Sequence, residues 1–239
     1  MKKYLTILIA MLTLAPVYAN NATADDEKDW EVSHPFKSSD EGGKHWKVTS
    51  SGIYLGAGVS HSWDVINNSF EAGMLNIISL EYNTLHGQTF SLGAGIHHRS
   101  YSMKRPNMLI CDNETHITGT IPYPTEYSDK NRSSNLNMWA VQFPLLFKQR
   151  IYKKLGIKIG GIMNWNFKAL ASNHYETANA DYDITYKGLK QNKVTFDAIG
   201  GLTIDSFGVY CRYSPAKFFE KGYGPEIKDT WTLGVAFGF

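Results

Sequence analysis

Nothing constrains this chain more than its period of two. Its last segment, "DTWTLGVAFGF", puts Trp231, Leu233, Val235, Phe237 and Phe239 on one side, and Thr230, Thr232, Gly234, Ala236 and Gly238 on the other. Successive side chains of a strand point to opposite faces, so this reads as a strand with one strongly apolar surface. The same alternation recurs over 52–63, 76–84, 89–101, 136–150, 155–167, 193–204 and 207–214, which makes eight segments with 230–239. An even number is what a single-chain outer-membrane barrel requires. The connections also alternate: "LHGQ", "IYKK" and "DS" are short, whereas 64–75, 102–135, 168–192 and 215–229 are long. A soluble β-sandwich has no reason to sort its connections this way. The sequence therefore predicts an all-β fold, an eight-stranded antiparallel up-and-down transmembrane β-barrel with short periplasmic turns and long extracellular loops.

With the first strand running outward, the aromatics of the apolar face collect at two heights, as interface girdles do. Trp63, Trp139, Trp165 and Trp231, with Phe167, Phe196 and Tyr213, fall near the outer end; Tyr82, Phe90, Phe147, Phe207, Phe237 and Phe239 fall near the other. The opposite face carries Glu81, His97, Arg99, Gln142, Lys148, Lys158, Asp197 and Arg212, with Asn83, Asn164 and Tyr210. In a barrel of eight strands that face is an interior just wide enough for side chains to fill, so these residues are expected to form a packed polar lumen and not a large pore. Asp205 and Ser206 suit a two-residue hairpin turn, which sets Leu202 opposite Val209 and Ile199 opposite Arg212. Asp197 and Arg212 then lie diagonally on the lumen face, within reach of an ion pair.

The first residues, "MKKYLTILIAMLTLAPVYA", have two lysines, an apolar run too short to span a bilayer comfortably, and a small-residue cleavage site, so residues 1–19 read as a signal peptide. Residues 20–50 are polar with no sustained period and read as a flexible periplasmic segment, in which Trp30, Phe36 and Trp46 are candidate anchors for a partner or a plug. The barrel then covers 51–239. Removing Lys2 and Lys3 leaves 22 basic and 22 acidic residues, so no basic footprint points to nucleic acid. Cys111 and Cys211 are two thiols that an oxidising compartment can pair, but one falls in a loop and the other on the outward face of a strand. No Cys/His spacing matches a metal site, and no cofactor motif is found.

At "WAVQFPLLFKQRIYKKLGIKIGG" the chain resembles the PorT-like outer-membrane β-barrel family, small Gram-negative barrels with a strand of the form aromatic-Leu-Glu-Ile-Pro-Leu-Leu-Leu-Lys, a short turn and a Gly-rich strand. Pro144 and Lys148 stand in the matching places, and Gln142 replaces the usual acid. The ending "GVYCRYSPAKFFEKGYGPEIKDTWTLGVAFGF" is similar to the family's last hairpin, with its Arg-Tyr and terminal Phe. The resemblance implies fold and an outer-membrane location, and it implies a tolerated bulge at Pro144, since proline donates no ladder hydrogen bond. It implies no single activity. Resemblance to outer-membrane proteins generally makes Phe237 and Phe239 the signal read by the barrel-assembly machinery.

Function then divides between binding and catalysis. Long loops on a rigid scaffold usually carry recognition, so the expected role is a monomeric surface scaffold, in contact with outer-membrane lipid, whose loops bind an extracellular ligand or protein. The alternative is a lipid-modifying enzyme, a hydrolase or acyltransferase. It rests on His98 near Ser100 and Ser102 and on His174 near Ser172, with no acid of matching parity near the first pair. The reading favours no enzyme and no catalytic residue.

Overall fold

The computed structural model describes residues 45–50, 52–62, 64–84, 88–123, 132–152, 154–176 and 180–237. Twelve strands follow in chain order: β1 (His45–Thr49), β2 (Ile53–Ser60), β3 (Ile66–Asn83), β4 (Gln88–Met103), β5 (Asn107–Cys111), β6 (Thr118–Pro122), β7 (Ser133–Tyr152), β8 (Leu155–Glu176), β9 (Asp181–Tyr186), β10 (Val194–Ile204), β11 (Phe207–Ser214) and β12 (Thr230–Phe237). Eight of them, β2, β3, β4, β7, β8, β10, β11 and β12, pair antiparallel with their neighbours, and β12 pairs back onto β2. The sheet is thus a closed ring. Closure satisfies the backbone groups that open edges would leave unpaired.

Alternation sets which residues face out. Leu92, Leu145, Ile159, Phe196, Leu202 and Leu233 are all exposed on the outer wall, whereas their strand neighbours point inward. A large exposed apolar belt of this kind suits lipid, not water. The predicted turn holds: β10 and β11 join through Asp205 and Ser206, with Asp205 at φ 56°, Leu202 opposite Val209 and Ile199 opposite Arg212.

Three features depart from the sequence reading. The segment 64–75, expected as a long loop, is mostly strand, because β3 begins at Ile66 and only 61–65 connects it to β2. The cause is a bulge. Met74 pairs with Ile96 but Ile78 with Ala94, so Leu75 and Asn76 both face inward while Ile77 and Ile78 both face outward. Each half of β3 alternates, but the phase slips between them, and no single period-2 run spans the strand. The same slip breaks the first wall strand. β1 and β2 pair with the same side of β3, at Ser79–Asn83 and at Ser69–Met74, with the break opposite the bulge. Residues 45–49, placed by the sequence in the polar leader, are therefore part of the wall.

Proline 144 is the third difference. It pairs with Ile162 without any change of register, so the bulge implied by the family resemblance is absent there. Instead the ladder between β4 and β7 skips Gly93 and Ala94, across from Pro144 and Phe143, and resumes in the same register at Gly95 and Gln142. A residue with no N–H leaves a local gap in the ladder, which the other strand edge tolerates.

The long connections carry structure of their own. β5 and β6 form a separate hairpin, β8 continues outward to Glu176, and β9 folds back along it. Backbone hydrogen bonds tie the remaining loops together: Asn192 N donates to Phe218 O, Glu220 N to Lys190 O, and Thr118 N to Tyr223 O.

Candidate functional site

The interior is layered. At mid-height the inner faces of β3, β4, β10 and β11 supply Glu71, Arg99, Asp197 and Arg212, all buried. Arg212 Nε donates to Asp197 Oδ2 at 2.7 Å and its Nη2 to Asn164 Oδ1 at 2.9 Å. Asn164 Nδ2 in turn donates to Asp197 Oδ2 at 2.8 Å. Arg99 Nη2 donates to Glu71 Oε2 at 2.7 Å, and its Nη1 to Ser214 Oγ at 2.8 Å. Tyr210 OH donates to the other Glu71 oxygen at 3.0 Å. Tyr54 OH meets His97 Nδ1 at 2.6 Å and donates to Gln142 Oε1 at 3.2 Å, while Gln142 Nε2 reaches Met74 O at 2.9 Å. Two arginines thus face two carboxylates, and each carboxylate is hydrogen-bonded, as buried charges must be.

The tyrosine rings fit because the wall is thin beneath them. A Cβ built on Gly56 or Gly234 would lie 2.5 Å from Tyr210 OH, and one on Gly73 2.7 Å from Tyr54 OH. Glycine is required at these close approaches.

Of the predicted lumen residues, the structure brings Arg99, His97, Gln142, Asp197 and Arg212 into this cluster and leaves Glu81, Lys148 and Lys158 outside it. Two members escaped the sequence reading. Glu71 lay in the segment taken for a loop, although "SFEAG" alternates and would have placed it inward; Tyr54 follows from the parity of β2. The lumen is also less polar than expected. The Tyr54 and Tyr210 rings pack with Leu75, Leu146, Ile162, Ile199 and Ala236 in an apolar cluster. Glu81, Lys148 and Lys158 stand at the short-turn end, where Lys148 lies opposite Lys158 and Lys47 opposite Glu81.

The outer end is closed by a second apolar core. Ile66, Tyr101, Leu136, Met138, Ala169 and Ala171 line the inner wall there, and Leu109, Cys111, Leu189, Phe218, Phe219 and Ile227 from three loops pack onto them. These inner positions are apolar because they face protein, not a water-filled lumen. Cys111 belongs to this core while Cys211 sits in the barrel wall, and both are free thiols. At the cap surface Glu226 meets Lys217 at 2.6 Å and Lys228 at 3.2 Å, and those two hydrogen bonds hold its carboxyl below the usual range. The amides of Glu114 and Thr115, hydrogen-bonded to Asp112, lower its carboxyl in the same way.

On the outer wall the aromatics meet in cross-strand pairs. Tyr213 stacks on Trp231 at 4.4 Å between ring centres and His98 packs tilted against Trp139 at 4.5 Å toward the cap; Phe90 meets Phe147 at 5.0 Å and Phe207 meets Phe237 at 5.4 Å toward the short turns. Trp165 is exposed at the upper level, and Trp46, which the sequence left in the leader, packs on Tyr82 at the lower one. Trp63 and Phe239 lie outside the described residues. As for the serine and histidine groupings, Ser102 Oγ donates to Asn135 Oδ1, the His98 ring lies against Trp139, and His174 Nδ1 meets Asp183 Oδ1 at 2.8 Å on an open surface.

A closed ring of eight antiparallel strands with an apolar outer wall defines a small β-barrel of the outer-membrane type. No known family's sequence profile matches the chain, and neither does any curated protein. Among solved structures, the attachment invasion locus protein Ail of Yersinia pestis, in complex with the heparin analogue sucrose octasulfate, is similar over 83% of this chain and 100% of that chain, at 11% identity and a TM-score of 0.33. A second crystal structure of Ail matches over the same shares, 83% of this chain and 100% of that chain, at 11% identity and a TM-score of 0.31. A likeness this distant carries no functional assignment.

Proposed function

We propose that this chain is a monomeric outer-membrane barrel of the PorT-like kind, exported by its signal peptide, inserted by the barrel-assembly machinery through Phe237 and Phe239, and used as a surface scaffold whose loops bind an extracellular ligand or protein. One observation carries the reading: three loops share a single apolar core over the barrel mouth, through Leu109, Leu189 and Phe218. A merely tolerated loop needs no such core, whereas a binding surface gains from being held rigid. The aromatic pairs at two levels support residence in lipid. The lumen between them is filled by its own side chains, which speaks against a large conductance.

Binding is preferred over lipid chemistry for a physical reason. In a serine–histidine–acid triad the orienting acid is buried, yet the side chain of Asp183, partner to His174, is 83% exposed.

The test uses cells expressing the full chain. Outer-membrane fractionation and surface labelling of Lys217 and Lys221 should both be positive, and crosslinking through the cap should capture a discrete partner that Phe218→Ala loses. Recovery of the chain in the inner membrane, or capture indifferent to Phe218→Ala, would overturn the reading.

A further inference from the structure

The outer wall changes chemistry at one height, and a bulge marks the place. In the apolar belt Ile96, Val141 and Trp165 lie side by side, with Phe143, Met163 and Phe196 nearer the short turns. The next row toward the cap is His98, Trp139 and Lys168. Beyond it come Ser100, Asn137 and Leu170, with Phe70 at the β3 end, and then Asn68, Ser102, Asn135, Ser172 and Thr185. The outward face of these strands thus passes from apolar to hydroxyl- and amide-bearing within one row.

Lys168 owes its place to the bulge. Trp139 pairs with Lys168 but Ala140 with Asn166, so Phe167 is the extra residue; Phe167 and Lys168 are both exposed while Asn166 and Ala169 are buried. Unbroken alternation would carry Lys168 inward with Asn166. Bulges re-aim side chains, and this one sets a cation beside Trp139 where the apolar belt ends. Among the described residues, no carboxylate shares these rows, and Asp183, one row further out, is engaged by His174 at 2.8 Å.

The polar rows are confined to one side of the barrel. β4, β7 and β8 run on past His98, Trp139 and Lys168 to Met103, Ser133 and Glu176, whereas β2 ends at Ser60, β11 ends at Ser214 and β12 begins at Thr230, next to the girdle residues Tyr213 and Trp231. Cross-strand bonds order the side chains: Ser102 Oγ donates to Asn135 Oδ1 at 3.1 Å, and the His98 ring is hydrogen-bonded to Asn137. Hydroxyls and amides both donate and accept, which suits sugar hydroxyls, and a lysine ammonium suits phosphate. A molecule lying against these rows is continuous with the lipid that covers Ile96, Val141 and Trp165, so a lipid head group is the occupant the position favours.

We infer that this face of β4, β7 and β8 binds the head group of a phosphorylated glycolipid from the side, with Lys168 on its phosphate and Ser100, Asn135 and Asn137 on its sugar hydroxyls. The inference rests on the proposed outer-membrane location in one respect: the cap end must meet a leaflet that carries such a lipid.

The barrel purified from membranes into detergent micelles tests it, with bound lipid counted by native mass spectrometry. The probes are a phosphorylated disaccharide lipid and phosphatidylglycerol, which is anionic but carries no sugar. The glycolipid should bind roughly tenfold more tightly than phosphatidylglycerol, and K168Q should weaken it by roughly tenfold, as loss of a hydrogen bond to a charged group does. N135A/N137A should lower glycolipid binding toward the phosphatidylglycerol level. K168R should keep it, as should K154Q, which removes the same charge at the short-turn end. Heat-modifiable gel mobility certifies each folded barrel, and K168Q and N135A/N137A probe the face independently, so either alone is decisive. Equal affinity for the two anionic lipids, or glycolipid binding indifferent to these variants, overturns the inference. Failure of the surface-scaffold reading shows separately, as a cap that is not labelled on cells, because in micelles both ends of the barrel are open to added lipid.

Discussion

Two charged layers line one lumen and solve the problem of interior charge in opposite ways. At mid-height Arg99 and Arg212 meet Glu71 and Asp197, both oxygens of Glu71 and Oδ2 of Asp197 are engaged, and Tyr54, Gln142 and Asn164 extend the network. Toward the short turns, beyond the apolar cluster of Leu75, Leu146 and Ile162, Lys148 stands directly opposite Lys158 and Lys47 opposite Glu81. The first layer holds strands together from across the barrel. The second sets like charges side by side near the rim. Arginine suits the first, since its fork gives several fixed donors; lysine, a flexible point charge, suits the second.

The largest expected effect lies in the balanced layer. Replacing Arg212 by Ala leaves the buried Asp197 with Asn164 and Ser214 as donors and Arg99 at 3.8 Å, and losing the close partner of a buried pair costs roughly 3–5 kcal/mol. Asp197→Ala should cost a similar amount. Reversible urea unfolding in lipid should give a coupling above about 1 kcal/mol for the double mutant, because residues that share hydrogen bonds are not additive. Additive losses would mean that the layer is held by something other than this pair.

That pair was legible in the sequence, and the reason is instructive. The hairpin of β10 and β11 has a two-residue turn and unbroken alternation, so parity and register follow from local pattern alone, down to Asp197 beside Arg212. β3 is the counterexample. Its bulge at Leu75–Ile77 shifts the phase, and the pattern reader discards the outer half, taking Glu71 with it. The strand's register is set by β4 across the ladder, which no local window contains. The cap was hidden for a related cause: Leu109, Leu189, Phe218 and Ile227 are single apolar residues in polar loops, and only the closed ring brings them to one place. The division of the lumen residues into two layers was equally invisible, since parity names the face but not the height.

A milder perturbation probes how completely the balanced layer is satisfied. Tyr210→Phe removes one hydroxyl and leaves the ring in its glycine cradle, so packing is conserved while Glu71 Oε1 loses its tyrosine donor. An unsatisfied buried acceptor costs about 1–3 kcal/mol. Unfolding of Tyr210→Phe should fall in that range, clearly below Arg212→Ala. A neutral result would show that water serves Glu71 as well as tyrosine does, and the layer would then be less closed than its geometry indicates.

The smallest effect has the opposite sign and sharpens the contrast most. Lys148 stands directly opposite Lys158 at the short-turn mouth, and like charges so placed disfavour the sheet. Lys148→Gln should then stabilise the barrel, by an amount within the roughly 0.2–1 kcal/mol of a cross-strand charge pair. Salt should erase the gain. The mouth is open to solvent, where the screening length shrinks from about 10 Å at 0.1 M to about 3 Å at 1 M, so added sodium chloride stabilises the lysine-bearing chain and leaves the glutamine variant little changed. The arginine layer, enclosed between the cap core and the apolar cluster, is screened far less, and the loss in Arg212→Ala should hold at both ionic strengths. Unfolding midpoints for the native chain, Lys148→Gln and Arg212→Ala at low and high salt distinguish the cases. A salt-dependent arginine layer, or a Lys148→Gln loss that salt does not touch, would mean that the two layers are not the different electrostatic environments that their partners imply.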